Sequence, residues 1–341
     1  MVVTIKEIAE LANVSRATVD KVINNRPGVK KETRKRIETI LAELNYQPNL
    51  LGKALVHSKS PIKIGIILTP EHNPFIQTIL KGIRDGEKEF SHFGLSITVK
   101  MLTTLQPAEL VSVLGELENA GVAGIAFIPL SDEQVVLKAN QLAENGIAIL
   151  TWNSRLEGIH GFRYVGQDHV KGGKIAAGLM EKLLPKGGNI CIITSSRELS
   201  CHQDRLEGFT ERLKECKKPI HILDIRENQD KRDEAFKITL EYCNLYSDFQ
   251  GIYLSGSGCD GAVNALSLAG RLDGARLICH DLVPETEKLL KEDALDFVLS
   301  QSAKLQGYQL VKELFEHLIK RQKPSSDYYE IPVEIITKDL L

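Results

Sequence analysis

Two groups of residues in this 341-residue chain have types and spacing that could do chemistry. The first is Arg16, Ala17, Asp20 and Lys21, which share one face if the segment is helical. Arginine and lysine donors match the acceptors on a guanine edge, and an alanine methyl packs on the thymine methyl. The second is Gly256-Ser257-Gly258-Cys259-Asp260-Gly261, a G-x-G-x-x-G run with Asp281 twenty residues beyond it. Such glycines let backbone approach a pyrophosphate, and the later acid would take ribose hydroxyls, which is nicotinamide chemistry. The six cysteines, at 191, 201, 216, 243, 259 and 279, form no C-x-x-C pair and no zinc-type spacing with histidine. They predict buried or idle thiols, with no metal and no cofactor.

The elements that must position the first group are short helices. Thr4-Ile5-Lys6-Glu7 has the form of a capping box, and Ile5, Ile8, Ala9 and Ala12 then fall on one apolar face. Asn13 suits a left-handed turn, and Ser15 is a good N-cap for a second helix with Val19, Val22 and Ile23 inward. Two short helices joined by about three residues form a helix-turn-helix, whose second helix presents its first residues to the major groove. The alternative is a helical hairpin with a solvated basic face. A third amphipathic helix is predicted over Glu32 to Leu44, with Ile37, Ile40, Leu41 and Leu44 inward. Tyr46-Gln47-Pro48-Asn49 then stops it, and Leu50 to Val56 reads as a further short helix. Residues 1–60 hold eleven Lys/Arg against six Asp/Glu, in a chain of net charge −2, so a basic head joins an acidic body.

That body alternates strand and helix. Strands are predicted at 62–68, 97–101, 124–128 and 148–152, with a helix from Phe75 to Phe90, and again at 189–194, 221–225, 251–255 and 276–280. Two such series imply two doubly wound lobes, with ligands bound beyond the carboxyl ends of the strands. The length suits two or three cores. No apolar run approaches the roughly 18 residues of a membrane span, and Met1 is not followed by a signal-peptide pattern, so a cytoplasmic location is expected.

The run TIKEIAELANVSRATVDKVINNRPGVKKETRKRIETILAELNYQPNLLGKAL, from Thr4 through Leu55, resembles the headpiece of the lactose-repressor (LacI/GalR) family without a gap. The resemblance implies a DNA-binding homodimer on a pseudo-palindromic operator. Arg16, Ala17 and Lys21 would read bases, while Thr4, Ser15, Thr18 and Asn24 would hold phosphates and set register. Leu55 stands where a hinge-helix leucine wedges into the minor groove. Three positions depart from the family pattern. Asp20 replaces a usual serine, bringing a carboxylate that could accept from a cytosine amino group or repel the DNA. Lys30 stands at a usual serine cap. Gly52 replaces a hinge alanine at a cost of about 1 kcal/mol, which implies a hinge ordered only on DNA.

The body is similar, more loosely, to the type I periplasmic binding-protein fold that the same family uses as its effector domain. TPEHNPF, ILTWNS, YVGQDHVKGGKIAAGLM, DRLEGF, LICHDL and VLSQ carry the likeness. It implies an effector site of Asn73, Phe75, Asn153, Ser154, Arg205, Asp281 and Gln301. These are amides, charges and one flat apolar face for a sugar, polyol or related metabolite. Each has a structural alternative: a surface ion pair for Arg205, a cap for Asp281, a turn for Asn73, an exposed lobe crossing for Gln301. Many sugar-binding relatives have Asp-Arg where this chain has Asn153-Ser154, with Arg155 one place later, and an asparagine at the position of Gly258.

The expected fold is α/β: an all-α helix-turn-helix headpiece (1–46), a hinge and linker (47–61) and a two-lobed parallel-sheet core (62–341). Lobe one would comprise 62–166 with 302–325, and lobe two 167–301 with 326–341, the chain crossing near 166–167, 301–302 and 325–328. The expected function is a ligand-controlled transcription repressor rather than an enzyme. The rivals are a nicotinamide-dependent oxidoreductase using residues 256–261 and a solute-binding protein with an incidental N-terminal extension.

Overall fold

The computed structural model describes residues 3–23, 26–44, 61–71, 73–196, 198–322 and 324–341. Three helices open the chain: α1 (Ile5–Leu11), α2 (Arg16–Ile23) and α3 (Lys31–Glu43). Their apolar faces meet in a small core of Ile8, Ala9, Ala12, Val19, Val22 and Ile37. Asn13 takes the left-handed turn between α1 and α2, with φ 48°. Lys30 precedes α3 without a side-chain cap.

The first parallel series runs β1 (Ile62–Leu68), α4 (Pro74–Phe90), β2 (Leu95–Met101), α5 (Pro107–Asn119), β3 (Gly124–Phe127), α6 (Glu133–Glu144), β4 (Ala148–Trp152) and β5 (Arg163–Gly166). The second runs α7 (His169–Leu183), β6 (Gly188–Thr194), α8 (Ser200–Leu213), β7 (Ile220–Glu227), α9 (Arg232–Leu245) and β8 (Phe249–Leu254). It continues through α10 (Cys259–Leu268), β9 (Arg276–His280), α11 (Pro284–Lys291) and β10 (Phe297–Ser300). Then come α12 (Ala303–Phe315), β11 (Tyr328–Glu330) and β12 (Glu334–Ile336). Sheet one is ordered β2-β1-β3-β4-β5-β11 and sheet two β7-β6-β8-β9-β10-β12. Neighbours are parallel throughout, except that β12 runs antiparallel to β10. The order reverses at β1/β3 and at β6/β8, and a crevice forms outside the carboxyl ends of strands at such points.

Tyr328–Glu330 pairs in parallel with Tyr164–Gly166, so β11 stays in sheet one. The third crossing therefore falls between β11 and β12 rather than at 325–328, because the open edge of β5 takes one more strand before the chain leaves. Gln167 ties all three crossings together. Its side-chain nitrogen donates to Ser300 O at 2.9 Å and to Pro332 O at 2.8 Å.

Helices α7 and α8 lie backbone to backbone. A Cβ at Gly173 would come 2.0 Å from Arg205 O, and one at Gly208 would come 1.9 Å from Val170 O. These two glycines set the depth at which α8 sits, and α8 carries Arg205.

Candidate functional site

The headpiece residues singled out by sequence sit around α2. Thr4 and Glu7 exchange a capping box: Glu7 N donates to Thr4 Oγ1 at 3.3 Å and Thr4 N to Glu7 Oε2 at 2.7 Å. Ser15 Oγ accepts from Thr18 N at 3.1 Å and lies 2.9 Å from Thr18 Oγ1. Arg16, Ala17 and Lys21 are exposed on one side of α2. Asp20, the family departure on that surface, is paired with Arg26, Nη1 to Oδ2 at 3.4 Å. Asn24, Gly52 and Leu55 lie outside the described residues.

The second site lies between the lobes. A cavity of about 690 Å³ opens mainly on lobe two, with Asn73, Pro74 and Phe75 as its contribution from lobe one. It shares Asn73, Phe75, Asp230, Gly256 and Asp281 with a deeper chamber of about 20 Å³. Asn153, Arg205 and Gln301 line that chamber too, so six of the seven effector candidates converge there. The seventh does not. Ser154 is fully buried beside the chamber, and its hydroxyl accepts from Cys201 N at 3.3 Å. It follows the left-handed turn at Asn153 (φ 58°), and its hydroxyl meets the start of α8 rather than the chamber.

Each lining group stands near the end of a strand or in the first two turns of a helix. Asn73 caps α4, accepting from Phe75 N at 2.9 Å, which leaves its amide nitrogen as the available donor. Asp281 follows β9 with φ 72°, a strained conformation for a non-glycine residue, and such strain gathers at functional positions. Its carboxylate accepts from Gln301 Nε2 at 2.8 Å, and Gln306 holds Gln301 in turn, at 3.1 Å to Oε1. Asp281 caps no helix. Gln301 is 2% exposed and Arg205 is 1% exposed, so neither is a surface group.

Arg205 is the central feature. Its Nη1 donates to Ser255 O at 2.7 Å, while Nε and Nη2 have no hydrogen-bond partner among the described residues. Asn153 Oδ1 is likewise unpartnered. Burying such groups without partners costs free energy that an incoming polar solute recovers. Burial pushes the Asp281 carboxyl up, with Arg205 opposing, and holds His169 and His280 well below the usual histidine range. For His202, burial works downward, but the neighbouring Cys201 outweighs it and the imidazole is raised. The arrangement offers fixed donors and acceptors at several angles around a small space, which suits a hydroxyl-rich ring.

The glycine run forms the turn between β8 and α10, but it is no phosphate cradle. Asp230 Oδ1 already accepts from Ser257 N at 3.0 Å, and Asp260 adds a carboxylate in the first turn of α10. Gly258 takes φ 98°, and a Cβ there would lie 2.5 Å from Asn228 Nδ2, so the asparagine common in relatives would require the Asn228 side chain to move.

Sequence reasoning missed Asp230, His202 and His280. Asp230 ends a polar turn after β7, the same signal that singled out Asn73. His202 is one helical turn before Arg205, on the same face, and His280 immediately precedes Asp281.

Residues 4–49 match the profile of bacterial regulatory proteins, lacI family, and residues 64–322 match a periplasmic binding protein domain. The chain is 31% identical over 224 residues to the HTH-type transcriptional regulator MalR of Streptococcus pneumoniae, covering 64% of each chain. The match thus spans a little under two thirds of that relative's length. The ribose operon repressor of Halalkalibacterium halodurans is 24% identical over 348 residues, covering 98% of this chain and 96% of that one. Among solved structures, a solute-binding protein from Burkholderia graminis in complex with D-arabinose superposes with TM-score 0.75 at 20% identity. The match covers 82% of this chain and 96% of that one, and at such identity it speaks for the fold alone.

Proposed function

Because the chain belongs to the lacI family of bacterial regulatory proteins and carries a periplasmic binding protein domain, we propose that it is a transcription repressor. It binds operator DNA through the α2 face and is controlled by a sugar, polyol or related metabolite held between its lobes. The observation that carries this reading is one chain joining an exposed Arg16–Ala17–Lys21 face to a cleft where Arg205 and Asn153 hold open hydrogen-bonding positions. A relative named for a ribose operon supports a carbohydrate effector.

On this reading the chain works in the cytoplasm as a homodimer on a pseudo-palindromic operator. Leu55 wedges the central base step, and Thr4, Ser15, Thr18 and Asn24 steady the backbone contacts. Asn73, Phe75, Asn153, Arg205, Asp281 and Gln301 hold the effector. Closure shifts operator affinity by a coupling free energy of typically about 1–3 kcal/mol. The oxidoreductase reading is disfavoured at residues 256–261, where Asp230 already accepts from the Ser257 amide that a diphosphate would need.

Two measurements test the proposal. A gel shift with the chain's own upstream DNA should give a retarded band at low salt that weakens steeply as salt rises. A thermal-shift screen of sugars, polyols and their phosphates should raise the melting temperature by several degrees with one compound. No band on any neighbouring promoter, or no shift across the panel, counts against the corresponding half.

A further inference from the structure

Helix α8 begins without a cap of its own. Its N-cap position is Leu199, which offers no acceptor, where serine, threonine, aspartate or asparagine is preferred. Leu199 instead packs into the core of lobe one. The missing acceptor comes from that other lobe. Ser154 Oγ, in the loop after β4, accepts from Cys201 N at 3.3 Å, the second helical position and a usual target of an N-cap side chain. One residue further, Arg155 N donates to Ser200 Oγ at 3.0 Å and Ser200 Oγ donates to Arg155 O at 2.8 Å.

The loop that supplies this cap is anchored to lobe one. Tyr164 donates its hydroxyl to Asn153 O at 2.9 Å. The Arg155 guanidinium lies between the Tyr164 and Tyr328 rings, 4.3 and 4.2 Å from their centroids. Both tyrosines belong to sheet one, so the loop travels with lobe one while α8 travels with lobe two.

We propose that Ser154 is a positioning residue that caps α8 across the cleft, so that the first turn of this helix is completed only when the lobes are closed. The helix carries His202 and Arg205, and its start is therefore held by the opposite wall of the site. Opening the cleft removes the cap and loosens the approach to Arg205. The regulatory meaning of this clasp rests on the effector reading above. The clasp itself does not, and its test needs neither ligand nor DNA.

The test is alkylation of the full chain by iodoacetamide, followed at each cysteine by mass spectrometry of its peptide. Cys201 is fully buried against lobe one, so its reaction reports opening between the lobes. Cys191 and Cys279 are buried in the core of lobe two, away from the cleft lining, and report global unfolding. Ser154→Ala should speed the reaction at Cys201 about fivefold, the factor for a cap worth about 1 kcal/mol, with the two core cysteines unchanged. Ser200→Ala, at a partly exposed position that tolerates the change, should give the same selective rise with smaller size. An unchanged Cys201 rate in both variants overturns the proposal. So does an increase shared equally by Cys191 and Cys279, which would mean an ordinary stabilising contact. A sugar screen with no hit would sink the effector reading and leave the clasp standing.

Discussion

The headpiece and the cleft treat their polar groups in opposite ways. In the headpiece the hydroxyls of Thr4 and Ser15 are exposed and already spent on nearby backbone, as caps. In the cleft, Asn153 and Arg205 are buried with hydrogen-bonding positions unfilled. The first set is capped and open to water, so a DNA partner must compete with solvent and with the caps, and each contact contributes little. Water is largely excluded from the second set, so a ligand that fills those positions recovers a cost the fold already carries. A regulator built this way would use many weak contacts at one end and few strong ones at the other.

The largest test of that contrast is Arg205→Leu. Two charge-assisted hydrogen bonds at about 1.5–3 kcal/mol each predict a loss of effector affinity beyond a hundredfold by calorimetry. Affinity within tenfold of the parent would mean that Arg205 only supports Ser255 O.

Next comes pH. His169 and His280 are held neutral by burial, so their folded values lie below the usual 6.5. The unfolded chain then binds more protons, and the stability these groups contribute above that value is lost as pH falls below it. The raised His202 works in the opposite direction and offsets part of that loss. Urea midpoints from pH 7.5 to 5.5 should fall, and His169→Gln should flatten the slope; a flat parent profile would break the contrast.

In the headpiece the effects shrink. Arg16→Ala should relax base preference by about 1–3 kcal/mol at one operator position, read from a panel of single-base operator changes. Ser15→Ala should be smallest, about 1 kcal/mol, seen as faster amide exchange at Thr18 with base preference retained.

The headpiece was legible because its signals are local. Thr4–Glu7, Asn13 and Ser15 each act within three or four residues, and Ile8, Val19 and Ile37 follow helical spacing. In the body, the long buried strands announced themselves, but β5, β10, β11 and β12 did not, being three or four residues each. The third lobe crossing was misread for that reason. The capping contact of Ser154 was not legible because its partner, Cys201 N, lies forty-seven residues away in the other lobe.

By itself the sequence determined the helix-turn-helix, the alternation that builds two parallel sheets, and the strand-end polar residues from which a site could be drawn. Those follow from short-range periodicity, capping and turn chemistry. Only the tertiary structure decided which of them meet. It buried Arg205 with two open nitrogens, gave Ser257 N to Asp230, and turned Ser154 from a cleft residue into the cap of a helix in the opposite lobe. Convergence depends on how two sheets face each other, and no local pattern encodes that.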